Sequence, residues 1–236
     1  MGFARIALAV LIACCIGVAP AHAFSDVDVI EGFERTVFGS EFALPFARGY
    51  VRKFEGPVRF YIRAEGFGLR EAQVAAFVER LDRLVAHLDA AVVDDPADAN
   101  FTVHVVARDR YKATVQRVLG RTLGAVSGRC MVRAVFSREG IERSDAIIVG
   151  DEGDRLFSRC MTEELLQGLG PLNDDPSLTH SMFNDASPFI HWQRFDRLIV
   201  NMLYDPRIEN GAAASVVRPL LPAVLRDVRA RIAARN

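Results

Sequence analysis

The sequence predicts an α+β fold in which a small mixed sheet backs one central helix and the C-terminal part is helical. Three observations carry that expectation. Short runs alternate apolar and polar residues with the period of a strand, as in Val58, Phe60 and Ile62 against Arg59 and Arg63. Other stretches carry apolar stripes at helical spacing, the longest at positions 74, 77, 78, 81, 84, 85 and 88. After about residue 170 only helical spacing recurs.

The chain opens on a stretch with the marks of an export leader. Arg5 supplies a positive start, Ile6 to Ala19 is apolar, and Ala21-His22-Ala23 is an A-x-A cleavage site, so residues 1–23 are expected to be removed. Leu11-Ile12-Ala13-Cys14 also fits a bacterial lipobox, in which Cys14 would be lipidated and become the N-terminus; cleavage after Ala23 has the better length and spacing. No later segment approaches the ~20 apolar residues of a membrane helix, so any membrane contact is expected only through that N-terminal lipid. Residues 24–52 read as an N-terminal arm with a short helix or irregular structure, and 53–236 as a single domain.

Within that domain Val58–Arg63 is the first strand, and residues 69–92 read as one long amphipathic helix ended by Asp94-Asp95-Pro96. Residues 101–107 form a second strand. Asp109 caps a short helix through Leu119, residues 120–128 are a Gly-containing loop, and strands lie near 131–136 and 146–149. Asp154 is placed as the cap of the central helix. Near the end, Tyr204-Asp205-Pro206 stops one helix, and Pro219 and Pro222 limit where the last can start. The apolar face of that last helix, from Leu220 to Ile232, is expected to cover the sheet or the central helix.

The central helix carries the chemistry. Cys160-Met-Thr-Glu163-Glu164-Leu-Leu-Gln167-Gly-Leu-Gly170-Pro171 holds three polar side chains where its apolar pattern needs none. The zinc-protease helix H-E-x-x-H-x-x-G-x-x-H sets two ligands on one helical face, a general-base Glu beside the first, and a Gly where the chain turns to a third ligand. On that frame this chain has Glu163, Glu164, Gln167, Gly170 and Asn173. The Glu and the Gly match, while the three imidazole positions hold other residues.

The fold therefore resembles a zincin without an ordinary zinc site. Ser181-Met182-Phe183 stands where metzincins place a Met-turn, and Asp196, Val200, Leu203 and Tyr204 resemble the helix that closes a matrixin domain. The chain also resembles a proteobacterial secreted family known as domain-of-unknown-function family 2927. Cys160-x-x-Glu163-Glu164-x-x-Gln167-x-x-Gly170, Asn173-Asp174, Ser181-x-Phe183-Asn184-Asp185 and Leu203-Tyr204-Asp205-Pro206 carry that resemblance over roughly residues 50–225. It implies an envelope location, periplasmic or lipid-anchored, and no particular activity.

Zinc prefers imidazole and thiolate, and a neutral amide serves it poorly. Glu163, Gln167 and Asn173 better suit a hard cation such as Ca²⁺, with Asp174 or Asp185 adding charge. Two functions follow. In one the lapsed protease-like fold binds or scaffolds an envelope protein, a peptide or a glycan. In the other it is a metal-dependent hydrolase with substituted ligands and Glu164 as candidate general base. A third reading makes Glu163 and Gln167 a satisfied i, i+4 pair. Charge excludes one class: 29 basic against 30 acidic residues give a net charge of −1, without the excess of positive charge that nucleic acid demands. Cys130 and Cys160 remain after the leader and are expected to form a disulfide in an oxidising compartment.

Overall fold

The protein is described by a computed structural model that defines residues 24–39, 49–120 and 128–235. The expected leader, with Cys14, lies outside these residues. Helix α1 (Asp26–Phe38) starts on a capping box in which Ser25 and Asp28 bond each other's backbone N–H. Strand β1 (Val58–Arg63), helix α2 (Gly68–Leu84) and the short strand β2 (Ala90–Val92) follow. Strand β3 (Phe101–Val106) leads into α3 (Arg108–Leu119), and the hairpin β4 (Cys130–Ser137) and β5 (Gly140–Val149) into the central α4 (Asp154–Gln167). Helices α5 (Arg194–Leu203), α6 (Ala214–Val217) and α7 (Leu221–Ala233) complete the chain.

The five strands form one mixed sheet in the order β2-β1-β3-β5-β4, with only β4 antiparallel to its neighbour. The α+β class read from the sequence holds. One face of the sheet, with Val58, Phe60, Phe101, Val103, Ala146 and Ile148, enters the main core, where the rings of Phe60 and Phe101 stack at 4.5 Å. The other face carries Ile147 and Val149 into a smaller cluster with Tyr111 and Val115 of α3. Helix α4 packs on β4 and β5, and the Cys130–Cys160 disulfide ties it to the start of β4. Closing a loop of 30 residues in this way stabilises the fold by about 3–4 kcal/mol in the chain-entropy account.

Four local expectations are corrected. The long helix over 69–92 is a helix and a strand. Its apolar stripe continues in Val85 and Leu88, both buried, but Val85 is already extended and His87 turns through φ +64°, which breaks the helix before the edge strand β2. Asp109 is not the cap of α3. The N-cap is Ala107, and the Asp151 carboxylate instead accepts from the Arg108 N–H at 3.0 Å. Asp154 lies in the first turn of α4 after the N-cap Gly153, and there it pairs with Arg70 at 2.8 Å. Helix α7 packs mainly on α5 and α1 rather than on the sheet or α4. Part of the segment read as an arm also belongs to the core, because Val29, Phe33 and Val37 of α1 are fully buried.

Candidate functional site

Helix α4 is buried along its C-terminal half, from Cys160 to Gln167. Apolar residues such as Leu165 and Leu166 account for most of that burial, yet Glu163, Glu164 and Gln167 are buried with them. Buried carboxylates and amides need fixed partners, and those partners build the site. After Gln167 the chain turns at Gly168 and Gly170 and enters residues 171–193, which contain no helix or strand. This segment is shaped by side chains that bond its backbone.

Arg159 is the main one. Its Nη1 donates to the carbonyls of Ser187 (3.0 Å) and Phe189 (3.2 Å), and its Nη2 to those of Asn184 (3.2 Å) and Asp185 (3.1 Å). The same Nη2 reaches Glu163 Oε1 at 3.3 Å, so one guanidinium pins the loop 184–189 to the helix. Asp196, at the start of α5, fixes the preceding turn. Its Oδ1 accepts from Ser181 Oγ (2.6 Å) and from the Met182 N–H (3.0 Å), and its Oδ2 from the Gln193 N–H (2.6 Å). Met182 and Phe183 are thereby held fully buried.

The result is a convergence of three carboxylates. Glu163, Asp174 and Asp185 each bring an oxygen within 4.8 Å of the others, grading from buried Glu163 to exposed Asp185. Gln167 sits beside them and donates its Nε2 to Asp174 Oδ1 at 2.8 Å. It therefore orients a carboxylate of the cluster rather than pairing with Glu163.

The Asn173 Nδ2 donates to the carbonyls of Arg35 (3.1 Å) and Asp174 (3.0 Å), which ties the loop to α1. Glu164 stays outside the acidic cluster. It is buried, and its charge adds to burial in raising the Tyr111 hydroxyl above the ordinary tyrosine range. His180 lies 6.1 Å from the Phe24 ring and His191 is exposed; neither joins the acidic cluster.

Arg159 and Asp196 were missed as site builders. Arg159 had a local signal, because it stands four residues before Glu163 on a helix, where an opposite charge is a neighbour. Asp196 had a local signal only for capping α5, three residues after Gln193; its other partners, Ser181 and Met182, lie 15 and 14 residues away along an irregular loop.

The donor set does not fit zinc. Oxygens alone converge here, the neighbouring amide spends its N–H on Asp174, and zinc is held by nitrogen and sulfur in closed protein sites. Glu163, Asp174 and Asp185 are the residues that could hold a cation here, and an all-oxygen set is of the kind that hard cations take.

Two carboxyls give the protein opposing pH responses. Burial pushes Asp196 up to about 6, only partly offset by the bonds from Ser181, Gln193 and Met182. The native state therefore holds this proton more tightly than the unfolded chain, and stability rises by ~3 kcal/mol as pH falls from about 6 to 4. Burial would also raise Asp205, but Arg207, followed by Arg231, outweighs it and holds that carboxyl at about 2. Its contribution of ~2 kcal/mol is present above about pH 4 and is lost as pH falls to 2. Urea unfolding at intervals between about pH 3 and 8 should thus show greatest stability near pH 4 to 5. Asp196→Asn should flatten the limb between 4 and 6.

The fold and site together define an α+β protein whose central buried helix offers acids and an amide to an irregular loop. The chain belongs to the family described as "Protein of unknown function (DUF2927)", whose profile matches residues 26–223. The match includes α1, in keeping with its place in the core. No curated protein matches the chain.

Proposed function

We propose that this is an exported, periplasmic binding or scaffolding protein on a lapsed zinc-protease-like fold, whose site takes a hard divalent cation of the calcium class. The observation that carries the reading is the convergence of Glu163, Asp174 and Asp185. A sheet behind the helix that bears the motif supports the protease-like ancestry, and a disulfide suits an oxidising compartment. Asp185 lies at the exposed end of the cluster, so a peptide or glycan ligand would meet the ion on the side of the loop 184–189. Glu164 has no part in holding the ion, and in this reading performs no catalysis.

Calcium is the test. With few protein ligands the affinity should fall in the range of extracellular modules, ~0.1–1 mM. Adding about 10 mM Ca²⁺ should then stabilise the protein by ~1.4–2.7 kcal/mol, read as a rise in thermal midpoint. Asp174→Asn and Asp185→Asn should abolish that rise, and Glu164→Gln should leave it intact. Stoichiometric zinc in the purified protein, with peptide cleavage lost in Glu164→Gln, would establish the hydrolase reading in its place.

A further inference from the structure

A separate cavity of about 640 Å³ opens where the β4–β5 turn meets the end of α5. The site described above contributes none of its lining residues. Lys53, a residue only 7 % exposed, is among the residues that line the cavity. Among the described residues the one acceptor for Lys53 Nζ is the Asp205 carbonyl, at a long 3.4 Å. An ammonium carries three donors, and leaving donors unmet in a buried position is costly.

Carboxylates stand nearby without reaching it. Glu55, Asp205 and Glu209 all act on Lys53 through their charge, which opposes the lowering of its pKa by burial, but none forms an ion pair with it. Asp205 is taken by Arg207 and Arg231. Glu55, Glu139 and Glu209 line the same cavity as Lys53 and Arg138, so it presents a buried cation, an exposed one and three anions, of which Glu55 also accepts from Asn210 Nδ2 at 2.8 Å.

One wall is also held under strain. His87 is the sole non-glycine residue with positive φ among the described residues, at +64°, and Arg231 Nη1 donates to its Nε2 at 2.9 Å. Strained backbone of this kind persists where surrounding structure enforces it and clusters at binding sites.

The lining chooses among small ligands. Saccharide sites use exposed aromatic faces, but Phe54 and Tyr204, the aromatic lining residues, are 3 % and 4 % exposed. A simple anion would meet the unfavourable field of the glutamates, and a simple cation that of Lys53 and Arg138. A ligand with a carboxylate at one end and an ammonium at the other satisfies both. We propose that this cavity binds a zwitterion of the amino-acid or short-peptide class, its carboxylate on Lys53 Nζ and its ammonium between Glu55 and Glu209.

Alanyl-alanine is a suitable probe, titrated calorimetrically into the full chain at neutral pH and millimolar concentration. N-acetylalanine lacks the ammonium and alaninamide lacks the carboxylate. The dipeptide should bind, and each analogue should bind at least tenfold more weakly. Lys53→Met keeps the apolar stem and removes the buried charge; it should lower dipeptide affinity by about 30-fold or more without lowering the thermal midpoint. If that variant fails to fold, Glu209→Gln, at an exposed position, should lower affinity roughly threefold. No heat with the dipeptide, equal binding of N-acetylalanine, or unchanged affinity in both variants would overturn the assignment.

Discussion

Gly170→Ala should destabilise the protein by ~4 kcal/mol or more, a large fraction of the stability of an ordinary domain. Two costs add. Gly170 has φ +140°, a backbone conformation that side-chain-bearing residues rarely adopt, and forcing alanine into such a region costs about 1–3 kcal/mol. A methyl there would also overlap the backbone carbonyl oxygen of Arg52 and stand 2.7 Å from Leu203 Cδ2. The first neighbour is backbone and cannot rotate away. Gly153, before α4, separates the two costs: its φ is +95°, yet an added Cβ would have nothing within 4 Å. Gly153→Ala should therefore lose only ~1–3 kcal/mol. Urea midpoints of the two variants at constant slope would read the difference; equal midpoints would show that close packing at Gly170 contributes nothing.

That glycine also explains how much of the site could be read in advance. The spacing Glu163-x-x-x-Gln167 is visible because helical geometry alone places both residues on one face. Gly170 is visible because a helix ending near a Gly-Pro pair has to turn there. Past that turn, local rules fail. Asp174 and Asp185 were named for their charge, but their approach to Glu163 depends on the path of an irregular loop. The path is fixed by Arg159 and Asp196, which bond distant backbone groups with no periodicity in the sequence. Asn173 shows the same limit from the other side. Its place in the protease frame suggested a ligand, and nothing near it in the sequence records that its Nδ2 donates to the end of α1, at a residue 138 positions earlier.

The sheet was legible for a related reason. Alternation along β1 and β3 marks one buried face whatever the neighbours are. The misreading of residues 85–92 arose because buried positions in a turn and a short strand happened to continue the helical spacing of α2. Nothing local records that His87 reverses the chain. Its conformation is tied to α7 through Arg231, a residue 144 positions away.

Arg159→Ala should cost about 3–5 kcal/mol and, with it, the acidic cluster. Arg159 makes an ion pair with Glu163, which is only 7 % exposed at its side chain, and truncation removes that pair from a largely buried setting. Four loop carbonyls lose a donor in the same step. Those carbonyls belong to the segment that carries Asp185, so the loss of structure should concentrate between Asn184 and Phe189. Faster amide exchange there, with little change in β1, β3 and β5, would show local release rather than general weakening. Arg159→Lys distinguishes charge from geometry. Lysine keeps the positive charge near Glu163 but offers a single ammonium, which cannot span four carbonyls and a carboxylate as the planar fork does. It should recover part of the global stability yet leave the loop exchanging fast and the calcium response weakened. Full recovery of loop protection by lysine would mean that the pairing with Glu163, and not the span across the carbonyls, holds Asp185 in place.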